Sequence, residues 1–99
     1  MSRPYYSEYV RHCLRFYCRN NEVATFRHEV DEINWFACDK VLSKLPSKSK
    51  NIVMMIHTER DTLADNVYNA SEQYGINQSV IWDLLKEVEY AIAKERGLV

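Results

Sequence analysis

Ninety-nine residues, 46% of them hydrophobic, are enough for one small domain built around one core. Two glycines and two prolines leave little turn material for a many-stranded sheet, so the composition points to an all-α domain. At a net charge of −1 no global field drives the chain towards DNA or a membrane, and binding to either must come from a local patch.

Ser2 is placed to cap a first helix that begins with Arg3 and Pro4, since proline is tolerated in a first turn. Tyr6, Tyr9, Val10, Cys13, Leu14 and Tyr17 recur at three and four residues and predict a broad apolar face. Arg11, Arg15 and Arg19 repeat four apart on the opposite side. Three guanidiniums one turn apart can follow phosphates or grip an acidic partner, and they equally suit a solvated face. Asn20 and Asn21 fit the end of this helix, while residues 22–30 read as a short helix or an ordered loop.

Asp31 is the expected cap of a second helix carrying Ile33, Trp35, Phe36, Val41 and Leu42 inward, which Pro46 stops. The basic stretch Lys40, Lys44, Lys48 and Lys50 flanks the Leu45-Pro46 break. A third helix carries Ile52, Val53, Met55 and Ile56. Asp61 or Thr62 caps a fourth, with Leu63, Val67, Ala70 and Tyr74 inward. The fifth runs from Gln78 to Arg96, and Gly97 stands where a C-terminal glycine cap belongs. With no repeat, linker or low-complexity tract, residues 1–99 form one domain of about five helices.

The most informative stretch is Val67 to Leu85. Gly75 can adopt positive φ and end the fourth helix, and small Ser71 four residues earlier lets the next helix approach. Ala70, Tyr74, Ile76, Ile81 and Leu84 then fall at the inward positions of a helix-turn-helix, and Asn77 or Ser79 can cap its second helix. Asn77, Gln78 and Ser79 carry side chains able to bond base edges, the amides being suited to adenine, and also able merely to cap and turn. Trp82 reads as core or as an exposed anchor for a partner. The charge distribution is unhelpful to a DNA reader. Residues 64–99 hold Asp65, Glu72, Asp83, Glu87, Glu89 and Glu95 against Lys86, Lys94 and Arg96, whereas residues 1–20 hold Arg3, Arg11, Arg15 and Arg19 against Glu8.

Signals for chemistry are missing. Cys13, Cys18 and Cys38 form no CxxC pair, and Cys13 and Cys18 stand about 140° apart on a helix. They are expected to be reduced core thiols. His12, His28 and His57 are scattered, and no glycine-rich loop is present to cradle phosphate. No metal, cofactor or enzymatic activity is therefore expected. The longest apolar run, Ile52 to Ile56, is far below the roughly 20 residues that span a bilayer, and a cytoplasmic location without membrane contact is the expectation.

From Leu45 onwards the chain resembles region 4 of the bacterial sigma-70 family, whose helical domain reads promoter DNA. The shared elements are Leu-Pro, alternating basic residues and an aliphatic run in Leu45 to Ile56, followed by the Val67–Leu85 unit. Lys48 and Lys50 stand where the family usually has arginines, and Ile76 and Ile81 occupy its inward aliphatic positions. Trp82 and Asp83 depart from the basic or hydroxyl residues usual in its recognition helix, and the Pro46–Gly75 spacer is several residues longer. The chain also resembles small sigma-like regulators of phages and mobile elements in Gram-positive bacteria.

The resemblance divides the chain into N-terminal helices (1–44) and a region-4-like part (45–99). It implies a small DNA-binding transcription regulator, truncated or repurposed because there is no room for a domain that melts promoter DNA. On that reading Asn77, Gln78, Ser79, Lys86, Lys48 and Lys50 meet DNA, and Arg11, Arg15 and Arg19 meet phosphates or a partner. A second copy or RNA polymerase would add the contacts that an acidic scaffold lacks. The competing expectation is a protein-interaction module, an inhibitor or adaptor, using Tyr5, Tyr6, Tyr9 and the arginines of the first helix without DNA.

Overall fold

The apolar repeat of the first segment closes into α1, Ser7–Arg19, in the computed structural model, which describes residues 4–19, 28–59 and 61–99. Four helices follow: α2 (Glu29–Leu42), α3 (Ser47–Thr58), α4 (Leu63–Tyr74) and α5 (Gln78–Glu95). The described chain is all-α and forms a single domain with a Cα radius of gyration of 13.1 Å, close to the ~13 Å of a packed chain of about 100 residues. α1 packs on α2, α3 and α5, and α5 also meets α2 and α4. Leu14, Leu42, Val53, Ile56, Val67, Ile81, Leu85 and Ile92 fill the shared core.

α1 starts later than its sequence suggested. The Ser7 N–H bonds the Pro4 carbonyl at 3.1 Å, so the proline opens a turn ahead of the helix rather than its first turn. The expected Ser2 cap and the Asn20-Asn21 end lie outside the described residues, as does most of the 22–30 segment. α2 starts earlier than expected, with His28 extended before it and its carbonyl accepting from Asp31 and Glu32. Asp31 is therefore inside the first turn, where with Glu29 and Glu32 it faces the positive end of the helix dipole. The inward face of α2 is also shifted. Asn34, Trp35, Ala37, Cys38, Val41 and Leu42 are buried, while Ile33 and Phe36 are exposed.

Beyond the Leu45-Pro46 break the expected helices appear, and of the two cap candidates for each of α4 and α5 it is Thr62 and Asn77 that accept. Pro46 itself precedes α3 and its carbonyl accepts from Lys50 at 2.9 Å. Thr62 Oγ1 accepts from the Asp65 N–H at 3.2 Å and caps α4. Asn66 Nδ2 donates into the α3–α4 connection, reaching the carbonyls of Ile56, Glu59 and Asp61 at 3.0, 3.3 and 3.2 Å. At the end of α5, Gly97 has φ 71°, and the Leu98 N–H bonds the Ala93 carbonyl at 2.8 Å while Gly97 bonds Lys94.

Polar groups tie the N-terminal helices together. Asn34 on α2 is buried; its Nδ2 donates to Tyr9 of α1 at 3.0 Å and its Oδ1 accepts from Arg96 Nε after α5. Tyr17 donates to Asp39 at 2.7 Å, and Tyr5 to the carbonyl of Leu98. Cys13, Cys18 and Cys38 are unpaired thiols buried between these elements. Burial pushes all three pKa values up, that of Cys18 to about 11, which disfavours the thiolate.

Candidate nucleic-acid interface and the neighbouring cleft

The unit that positions the candidate reading residues is the α4–α5 turn. Gly75 sits at φ 62°, ψ 39°, the left-handed region that glycine enters without strain. Its N–H and that of Ile76 both bond the Ser71 carbonyl, and Ser71 Oγ donates to the Ile76 carbonyl at 2.5 Å. Ser71 is thus a clamp on the turn as well as a small residue. Ala70 and Ile81 are fully buried beneath it, with Tyr74, Ile76 and Leu84 half-buried around them.

Asn77, Gln78 and Ser79 are exposed at the start of α5, and Lys86 lies exposed two turns on. Gln78, Ser79, Trp82, Asp83 and Lys86 span about 140° of the helix surface, so one approaching partner can touch all five. Asn77 is already engaged. Its Oδ1 accepts from both the backbone N–H and the hydroxyl of Ser79, each at 2.9 Å. A bidentate contact to adenine requires that oxygen as acceptor, so capping and base reading compete at Asn77, and Gln78 is the amide left free for a base.

Of the two lysines before α3's apolar run, Lys48 lines a groove of about 370 Å³ shared with Ile76, Val80 and Asp83 of the turn and α5. Lys50 is half-buried and about 200° further round α3, so the two do not form one patch. The exposed start of α5 therefore carries Asp83 beside Lys86, with Lys48 across the groove.

The arginines of α1 do not form the expected exposed stripe. Arg15 and Arg19 are exposed, but Arg11 is buried and its Nε donates to Glu89 Oε2 on α5 at 3.1 Å, with 9% and 5% of the two side chains exposed. The cause is its row on the helix: Ser7, Arg11, Leu14 and Cys18 stand four, three and four residues apart and all turn inward. The recoverable signal was a single acid, Glu89, in the inward row Leu85, Val88, Ile92 of α5, requiring a buried cation to match it.

His57, isolated from the other histidines in sequence, occupies the core. It is buried on α3, with Nδ1 on the Val53 carbonyl at 2.8 Å, while its Nε2 and the Oδ1 of Asn66 have no hydrogen-bond partner among the described residues. Burial lowers its pKa to about 4; the Val53 bond opposes this, and the charges of Arg15 and Arg11 add to it.

Where the start of α1 crosses the outer face of α5 a cleft of about 530 Å³ opens. Tyr6, Trp82, Leu85 and Tyr90 line its apolar side, and Arg11, Lys86 and Glu89 line it as well. Trp82 thus belongs neither to the deep core nor to open surface.

Among the described residues no group of three or more His, Cys, Asp or Glu side chains is arranged to hold a metal ion. No helix among them is long and apolar enough to cross a membrane. Comparison of the chain with protein-family models, curated proteins and solved structures finds no match.

Proposed function

We propose that this chain is a small DNA-binding transcription regulator of the phage or mobile-element type, acting in the cytoplasm and presenting the start of α5 to the major groove. The observation that carries this reading is the α4–Gly75–α5 unit. Its turn is short and clamped by Ser71, its second helix is capped, and Gln78, Ser79 and Asp83 on that helix's first turns are exposed and polar beside exposed Val80 and half-buried Trp82. Such a unit enters the groove with its second helix, N-terminus first. Gln78 would then read a base edge, Ser79 and Asn77 would hold the helix end, and Lys86 and Lys48 would flank the contact. Asp83 offsets Lys86, so phosphate neutralisation is weak and affinity must be supplemented by a second copy or by docking on RNA polymerase.

The test is fluorescence anisotropy on a random duplex pool and on selected sequences across a salt series. Gln78→Ala should relax the preference at one position at a cost of about 1–3 kcal/mol. Asn77→Ser, which retains a capping oxygen, should leave preference unchanged. Absence of any salt-dependent binding by the wild-type chain removes the reading.

A second reading, an inhibitor or adaptor that binds protein alone, is favoured by Tyr5 and Tyr90, which are 80% and 50% exposed. It takes the lead if DNA is not bound and Tyr90→Ala abolishes capture of a specific host protein.

A further inference from the structure

A buried ion pair is costly to desolvate, and packed apolar side chains usually serve stability as well or better. Arg11 and Glu89 nevertheless form one where the surrounding wall is aromatic. A guanidinium has five N–H donors, and Glu89 takes the one on Nε. The terminal nitrogens of Arg11 have no partner among the described residues, yet they are not among the side-chain atoms sealed from solvent without one. Arg11 is among the residues that line the α1–α5 cleft. Lys86 adds a second cation, and the cleft volume of about 530 Å³ lies within the roughly 300–1,000 Å³ of small-molecule sites.

We propose that the α1–α5 cleft binds a small planar aromatic anion, its ring against Tyr6, Trp82 and Tyr90 and its charged group on the terminal nitrogens of Arg11. The aromatic side chains offer ring faces and edges to a flat ligand, which stacks or meets them edge-on. One guanidinium can hold two acidic groups, Glu89 on its Nε side and the ligand on its terminal fork, where low local dielectric strengthens a charge-assisted bond. Glu87 also borders the cleft, so a ligand that is anionic at one end and flat elsewhere fits better than a polyanion. The cleft shares Trp82 and Lys86 with the face offered to DNA, but nothing is required of the α4–α5 turn, and titrations without DNA test this binding separately from DNA recognition.

Two sources share this chemistry, an aromatic carboxylate and a nucleoside monophosphate, and separate titrations distinguish them. Indole-3-carboxylate and AMP are added to the full chain by calorimetry and by proton–nitrogen NMR, with indole-3-carboxamide, acetate and inorganic phosphate as ligands lacking charge or ring. The expected result is saturable binding of at least one ring-bearing anion with Kd at or below about 1 mM. It should shift the indole N–H of Trp82 and leave that of buried Trp35 in place. The amide, acetate and phosphate should bind about tenfold more weakly or not at all. The double variant Arg11→Met with Glu89→Met, which leaves no buried charge alone, should lose about tenfold in affinity. The exposed Tyr90→Ala should weaken binding while its melting curve stays that of a folded chain. Failure of both ring-bearing anions to saturate overturns the proposal. So does equal binding of the carboxamide, or wild-type affinity in both variants.

Discussion

α4 and α5 begin on side chains that close their own first turns, whereas α1 and α2 do not. Thr62 and Asn77 each bond a backbone N–H two or three residues on, while His28 makes no side-chain cap and α1 follows a turn closed by the Pro4 carbonyl. The C-terminal pair is specified by chemistry within a few residues. The N-terminal pair is specified by what packs against it, through Asn34 to Arg96, Tyr17 to Asp39, and Arg11 to Glu89 across 78 residues of sequence. The difference predicts where a substitution acts locally and where it acts on the whole fold.

The sharpest break in that comparison is Arg11→Ala. It strands Glu89 as a buried carboxylate and should cost about 3–5 kcal/mol in urea denaturation. Replacing both partners with methionine should recover most of that loss or exceed wild type. Lys40 and Glu95 also join at 3.1 Å, but their side chains are 56% and 34% exposed, so Lys40→Ala should cost no more than about 1 kcal/mol. Equal losses for Arg11→Ala and Lys40→Ala would mean that burial does not distinguish the pairs.

This contrast also explains what the sequence made legible. The all-α class, the five helices of the described residues, the Leu45-Pro46 break, the Gly75 turn and a cap at Asp61 or Thr62 and at Asn77 or Ser79 were readable because each rests on a short-range bond or a backbone preference. The inward rows of α1 and α2 were misread because several residues had the apolarity to face inward and the neighbours decided which did. Ile33 and Phe36 were assigned inward and are exposed, while Arg11 was assigned outward and is buried. Within the candidate reading surface, exposure of Gln78 and Ser79 followed from their place at a helix start. The prior commitment of Asn77's oxygen did not, since a cap and a base contact use the same atom.

His57 tests the packing between α1 and α3. Folded, the ring resists protonation down to about pH 4, whereas in the unfolded chain it titrates near about 6.5. Between those values the unfolded state binds the extra proton, so stability falls as pH falls from about 6.5 to 4, by on the order of 3 kcal/mol in all. Above about 6.5 this contribution is constant. His57→Leu removes the titrating ring and should flatten the acid limb of a stability–pH curve. Identical acid limbs in the two proteins would assign acid sensitivity to other groups.

At the α4–α5 turn the expected effect is smaller and local. Gly75→Val should lower stability by about 1–3 kcal/mol through backbone strain alone, because a Cβ there meets nothing within 4 Å. Gly75→Asn, which tolerates the left-handed region, should cost less. Thermal melting of the two variants separates strain from crowding, and a valine that melts like the asparagine would remove φ as the cause.

The smallest effects sharpen the opening contrast most directly. Thr62→Ala and Asn77→Ala each remove a cap that satisfies an otherwise unpaired N–H, and each should cost about 1 kcal/mol. His28→Ala removes no such bond and, at an exposed position, should stay within about 0.5 kcal/mol. Hydrogen exchange locates the loss. With Thr62→Ala the fastest-opening amides should be those at the start of α4, and with Asn77→Ala those of Ser79 and Val80. His28→Ala should leave the start of α2 unchanged, held by its contacts with α1 and α5 and by the acids of its first turn. Should His28→Ala instead open α2 as widely as Thr62→Ala opens α4, the N-terminal pair depends on local chemistry after all, and the division between the two halves of the fold fails.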